Sequence, residues 1–184
     1  AAARAWWMFR LFGHDRVALL NGGLGKWKAD GRELETGPAR TPAPGDFTPR
    51  LDGRRVRTID QIRANLERKT EQVVDARSPG RLAGTEPEPR PGVRSGRIPG
   101  SLNLPFQELM DVDNHFRIKP AEELEKAFAD AGVDLSRPVI SSCGSGITAA
   151  VAVLALHLLG RKDNAVYDGS WTEWGGRQDT PVEI

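Results

Sequence analysis

An α/β fold with a central, mostly parallel sheet flanked by helices is predicted by three features of the sequence. Short apolar strands alternate with helix-patterned segments from residue 58 onward, a strand–turn–helix unit carries the only cysteine, and a helix–strand–helix pattern occurs twice, 147 residues apart. The chain has 184 residues, 39% of them hydrophobic, which is enough for the core of one ordinary domain or two small ones.

The alternation starts with Ile59, Ile62 and Leu66 at helical spacing. Val73 and Val74 follow as a buried strand ending at Asp75, and a Gly/Pro/Arg-rich loop runs on to Arg97. A second strand is expected over 98–104. Pro120 stands at a helix start, Ala121, Leu124, Ala127 and Phe128 share one face, and Gly132 ends that helix. A short core strand is expected over 138–142 and an apolar helix over 149–159. Open sheets of this type bind ligands beyond the carboxyl ends of their strands, where Cys143 falls.

The repeat aligns Gly13 with Gly160 without a gap. Ala2/Ala149, Ala3/Ala150, Ala5/Ala152, Leu11/Leu158, Gly13/Gly160, Ala18/Ala165, Gly22/Gly169 and Trp27/Trp174 are identical. Each copy reads as an apolar helix, a Gly stop, a strand (17–20 and 165–167) and a Trp-bearing helix. The later copy follows a patterned stretch and the earlier one does not. Residues 1–35 are therefore expected to be the remnant of a truncated first domain, leaving Trp6, Trp7, Phe9 and Phe12 without their usual strands. Residues 36–56 hold Pro38, Pro42, Pro44 and Pro49 and read as a linker, and 57–184 as the complete second domain.

With 26 Lys plus Arg against 25 Asp plus Glu, the net charge of +1 gives no reason to expect nucleic-acid or membrane-surface partners. A single cysteine cannot form an internal disulfide, and with three scattered histidines it offers no zinc spacing, so no metal or cofactor is expected. No apolar run approaches the roughly 20 residues that span a bilayer. A reducing compartment follows, with the cytoplasm expected and the mitochondrion as the alternative in a eukaryote.

Cys143-Gly144-Ser145-Gly146-Ile147-Thr148 sits between the strand and the helix. The thiolate is the working form of cysteine, and its formation needs a positive local potential. Glycines at 144 and 146 let successive main-chain N–H groups curl toward one point, while the next helix presents its N-terminal dipole. Such a cradle would favour a persulfide anion. A lone cysteine at a strand end is otherwise an ordinary core residue.

The loop Cys143 to Ala149 resembles the active loop of the two-domain rhodanese family of 3-mercaptopyruvate and thiosulfate sulfurtransferases. So do Asp75-Ala76-Arg77, the stretch from Gly84 to Arg90, Ile98-Pro99-Gly100, Asn103-Leu104-Pro105 and Tyr167-Asp168-Gly169-Ser170-Trp171. The resemblance implies that 57–184 form a catalytic rhodanese-like domain and that 1–35 are the end of a non-catalytic one. Sulfane sulfur would move from 3-mercaptopyruvate through a Cys143 persulfide to thioredoxin, another small thiol, or cyanide. It implies that Arg81 and Arg90 grip the carboxylate and keto oxygen of the donor, as bidentate guanidinium groups can. Gly144, Gly146, Ile147 and Thr148 complete the substrate loop. Ser145 would act with an Asp and a His of the first domain that this sequence does not supply.

Thiosulfate-type relatives carry basic side chains in this loop, and Gly144 and Ser145 add none, so mercaptopyruvate is the expected donor and thiosulfate the alternative. A binding module without turnover is the other alternative. A phosphatase of the same fold needs an arginine to clamp phosphate at the end of the loop, where Ala149 stands. His14, His115 and His157 show no pairing motif with Cys143, and Asp75 and Asp168 are expected to organise loops by hydrogen bonding.

Overall fold

The computed structural model describes residues 1–39 and 41–184. Among them the chain order is α1 (Ala2–Leu11), α2 (Gly23–Ala29), β1 (Val56–Arg57), α3 (Ile59–Arg68), β2 (Gln72–Asp75), α4 (Pro79–Leu82), β3 (Leu102–Asn103), β4 (Met110–Asp111), β5 (Arg117–Ile118), α5 (Ala121–Asp130), β6 (Val139–Ser142), α6 (Ala149–Leu158), β7 (Asn164–Tyr167) and α7 (Ser170–Gly176). No helix there is long and apolar enough to cross a membrane.

Five strands form one sheet in the order β1-β7-β6-β2-β3, and every pairing in it is parallel. The central strands are buried on both faces, as parallel sheets covered by crossover helices must be. Alternate side chains feed two cores. Val74, Val139 and Val166 face α5, α6 and, beyond them, α1. Val73, Ile140 and Tyr167 face Ile62 of α3 and Trp171 and Trp174 of α7.

Local chemistry sets the helix ends. Thr58 caps α3 by accepting from Gln61 N, and Gln61 Oε1 accepts in return from Thr58 N at 2.8 Å, a reciprocal capping box. Helix α6 is apolar on nearly every side, because the sheet covers one flank and α1 the other. Ala149, Ala150, Ala152 and Ala155 are all fully buried.

Three expectations change. The strand expected over 98–104 shrinks to Leu102–Asn103, because Pro99 and Gly100 (φ +72°) turn the chain and Ser101 N bonds back to Ile98 O. No strand forms over 17–20: a lone extended segment needs a sheet edge to pair with, and the two edges of the sheet are β1 and β3. Trp6 and Trp7 are not stranded at the surface. They are 4% and 2% exposed, packed in the α6 core, with Trp7 Nε1 donating to Arg55 O at 3.0 Å. Met8 and Phe9 on the outer face of α1, and Phe12 just beyond its end, are exposed.

Candidate active site

β6 lies in the middle of the sheet and delivers Cys143 to its carboxyl end, between β2 and β7. The carbonyls of the turn that follows are held in place from outside. Cys143 O accepts from Trp171 N at 2.9 Å. Gly144 O accepts from Thr172 N at 2.9 Å and from Thr172 Oγ1 at 2.5 Å. Gly146 O accepts from Arg4 Nη1 of α1 at 3.1 Å.

In a planar trans peptide the C=O and the following N–H point in opposite directions. Fixing those three carbonyls therefore turns the N–H groups of Gly144, Ser145 and Ile147 away from α7 and α1. Among the described residues, none of the N–H groups of 144–148 donates to a protein acceptor. The unpaired N–H groups of the first turn of α6 add to this set. A loop with its donors freed in this way is built to receive an anion.

Gly146 is needed at its position. It has φ +75°, and a Cβ there would stand 2.7 Å from Asp168 O and 2.8 Å from Arg4 Nη1. Ser170 holds the other end of the turn. Its hydroxyl accepts from Cys143 N at 3.2 Å and donates to Tyr167 O at 2.8 Å, from a left-handed backbone (φ +51°) that non-glycine residues seldom adopt.

Beside the loop runs a chain of alternating charges. Asp75 and Arg77 are buried and doubly bonded to each other, and Arg77 stacks 4.5 Å above the Trp171 ring. Arg77 Nη1 reaches Glu88 Oε1 at 2.7 Å. Glu88 also accepts from Arg81 Nε at 3.2 Å and Nη2 at 2.5 Å. The Glu88 bond raises the Arg81 pKa above its ordinary value, against the opposing effect of burial. Its Nη2 stands 2.9 Å from where a Cβ on Gly144 would lie.

Both arginines singled out in the sequence thus lie beside the turn. Arg81 is already engaged by Glu88, while exposed Arg90 donates to Thr172 Oγ1 at 3.1 Å, next to Gly144 O. Ser145 makes no side-chain hydrogen bond among the described residues, Ile147 is exposed at the rim, and Thr148 precedes α6. Asp75 and Asp168 organise loops: Asp75 accepts from Arg77 N, and Asp168 pairs with Arg4. His157 packs on Trp6, and His14 lies between Phe9 and Phe47. Cys143 itself is 1% exposed, deeper than an open nucleophile would be.

Sequence reading missed Arg4, Glu88, Ser170 and Thr172 as parts of this site. Arg4 and Gly146 are 142 positions apart, and no spacing rule links them. A cleft of about 610 Å³ opens at the opposite end of the sheet, near Pro138 and Asn164, but its lining holds no thiol.

Residues 58–177 match the model of the rhodanese-like domain. The chain belongs to the rhodanese-like domain family. It is 45% identical to the 3-mercaptopyruvate sulfurtransferase of Homo sapiens, across 95% of this chain and 58% of that protein. To the thiosulfate sulfurtransferase of Mus musculus it is 46% identical, across 100% of this chain and 61% of that protein. The chain thus spans little more than half the length of these relatives. Among solved structures it resembles the 3-mercaptopyruvate sulfotransferase SseA of Escherichia coli, with a TM-score of 0.80 and 38% identity over 93% of this chain and 62% of that one. In this rhodanese-like domain Cys143 follows the central strand of the matched region.

Proposed function

We propose that this rhodanese-like domain is a sulfurtransferase that carries sulfane sulfur on Cys143, taking it from 3-mercaptopyruvate and passing it to a thiol such as thioredoxin, or to cyanide. The carrying observation is the turn whose carbonyls are pinned outward and whose N–H groups have no protein acceptor. The Cys143 thiolate attacks the donor sulfur. The carbon–sulfur bond breaks, its electron pair and the thiol proton go to carbon to give pyruvate, and the freed amides hold the persulfide anion. Attack of the acceptor thiolate on the outer sulfur regenerates Cys143.

Arg81 and Arg90 bind the donor's carboxylate and keto oxygen, and Gly144, Gly146, Ile147 and Thr148 enclose it, with Ser145 at hand for proton transfer. Arg81 can exchange Glu88 for the donor carboxylate without orphaning Glu88, which keeps its bond to Arg77. That exchange also moves aside a side chain lying against the turn. The uncharged Gly144 and Ser145 favour mercaptopyruvate over a thiosulfate dianion, whereas relatives bearing either name are equally similar.

The 1% exposure of Cys143 favours a second reading, a binding module that keeps the fold without turnover. Mass spectrometry after incubation with mercaptopyruvate, and separately with thiosulfate, decides between them. The expected result is one added sulfur atom on the Cys143 peptide, removed by cyanide and absent from Cys143→Ser. No adduct from either donor would overturn the sulfurtransferase reading.

For the domain plan we infer that 1–35 close a preceding rhodanese-like domain, 36–56 link, and 57–184 form the catalytic unit. The repeat supports it. Ala5, Met8 and Phe9 correspond to Ala152, Ala155 and Leu156, which α6 buries, whereas Met8 and Phe9 present an apolar outer face.

A further inference from the structure

Arg4 is the one α1 side chain that reaches the Cys143 turn by hydrogen bond among the described residues. Its guanidinium lies 4.8 Å above the ring of Trp7, donates to Gly146 O at 3.1 Å and pairs with Asp168 at the end of β7. It is about three-quarters buried, with 24% side-chain exposure. Trp7 is itself anchored, through its Nε1 bond to Arg55 O. The guanidinium is therefore fixed from three sides: an aromatic face below, a carboxylate beside it and the loop carbonyl in front.

Of the three outward carbonyls of the turn, two are held by α7, the helix that follows β7. The third, Gly146 O, is held by Arg4 from outside residues 58–177. We propose that Arg4 is a positioning residue for sulfur transfer, fixing the Gly146–Ile147 peptide so that the Ile147 N–H joins the anion-binding set. This rests on the sulfurtransferase reading for its kinetic consequence, but not for its effect on the loop. Gly146 has φ +75° and no Cβ, so no side chain of its own restrains the peptide that follows it. Without a donor on its carbonyl, the peptide plane can rotate and carry the N–H away. The carboxylate of Asp168 neutralises Arg4, leaving direction rather than net charge as its contribution. The segment before the rhodanese-like domain thereby acts on chemistry that takes place inside it.

Three variants of the full 184-residue chain test this. Arg4→Gln removes the charge and the reach, Arg4→Lys keeps a cationic donor, and Arg10→Gln alters a neighbouring α1 arginine that stacks on Trp6 and pairs with Asp15, away from the turn. For Arg4→Gln, kcat with 3-mercaptopyruvate should fall by about 10- to 100-fold with KM within about twofold, the pattern for losing a transition-state donor. Arg4→Lys should recover much of kcat, and Arg10→Gln should leave it unchanged.

A second readout needs no turnover: in the substrate-free protein the backbone amide signal of Ile147 in a nitrogen–proton spectrum should shift or broaden in Arg4→Gln and stay in place in Arg10→Gln. If the wild type transfers no sulfur, the functional reading fails while the Ile147 signal still judges the positioning. An unmoved Ile147 signal in Arg4→Gln would overturn the proposal. So would equal losses in Arg4→Gln and Arg10→Gln, because docking of α1 would then account for both. Should Arg4→Gln fail to fold, Arg4→Met, which keeps a long side chain beside Trp7 but has no donor, decides through the same spectrum: native peak positions outside the turn with a displaced Ile147 are expected, and an unmoved Ile147 would overturn the proposal.

Discussion

At Glu88 one carboxylate serves two guanidinium groups of different mobility. Arg77 is sealed, with 1% side-chain exposure, and Arg81 is open at 24%. Glu88→Gln weakens one charge-assisted bond of Arg77, which Asp75 still neutralises, and should cost about 1–3 kcal/mol in urea unfolding, the scale for such a bond. Arg81→Gln should cost far less stability, since solvent screens the open end. In kinetics the order inverts: Arg81→Gln and Arg90→Gln should each weaken use of 3-mercaptopyruvate by about 1–3 kcal/mol in kcat/KM. Unchanged kinetics in both would remove them from the donor site. The turn of Cys143 and its glycines after a strand could be read from the sequence because the string is local, whereas Arg81 and Arg90 came from the family resemblance, and the structure places both beside that turn. Glu88 could not be so read, since only folding shows that it faces Arg77 and Arg81 together.

At the scale of elements, the interface of α1 with α6 is also a titrating one. His157 on α6 stacks against Trp6 at 5.1 Å between centroids. Burial lowers its pKa below the ordinary histidine value, and the charges of Arg10 and Arg55 push the same way, with Asp15 opposing. A histidine whose folded pKa is depressed takes up its proton more readily in the unfolded chain. Stability is therefore full above the unfolded value, about 6.5, and is lost as pH falls through the folded one. His157→Gln should flatten the stability profile below about pH 6.5, and an unaltered slope there would show that His157 does not contribute to it. Helices were legible here because burial leaves a periodic trace, as with Ile59, Ile62 and Leu66. Strands were less so. Val17 and Leu19 carry an alternating pattern and even touch the core, yet pairing depends on a neighbour that the local sequence does not specify.

For the molecule as a whole, the segment before the rhodanese-like domain is part of the core. Ala3, Trp6, Trp7 and Leu11 all join the α6 core. A shortened chain of residues 57–184 should lose about 5 kcal/mol or more, at about 1.5–3 kcal/mol for each large apolar side chain no longer burying its surface. Urea unfolding of the two chains side by side checks this, and equal midpoints and slopes would refute it. The α/β class and the parallel sheet were legible from alternating elements. The repeat pointed to kinship between α1 and α6, but it could not show that the two helices pack against each other.

The sheet ends on each side in a strand of only two residues, β1 and β3. Arg57 on one margin is tied back to Glu71 by paired bonds of 3.0 and 2.7 Å. A foreign strand would find almost no open ladder on which to grow, so fibril-like stacking through these borders is disfavoured from the outset. Self-association at high concentration should instead run through Phe9 of α1 and Phe12 just beyond it, yielding amorphous clumps that disperse when those rings are made polar.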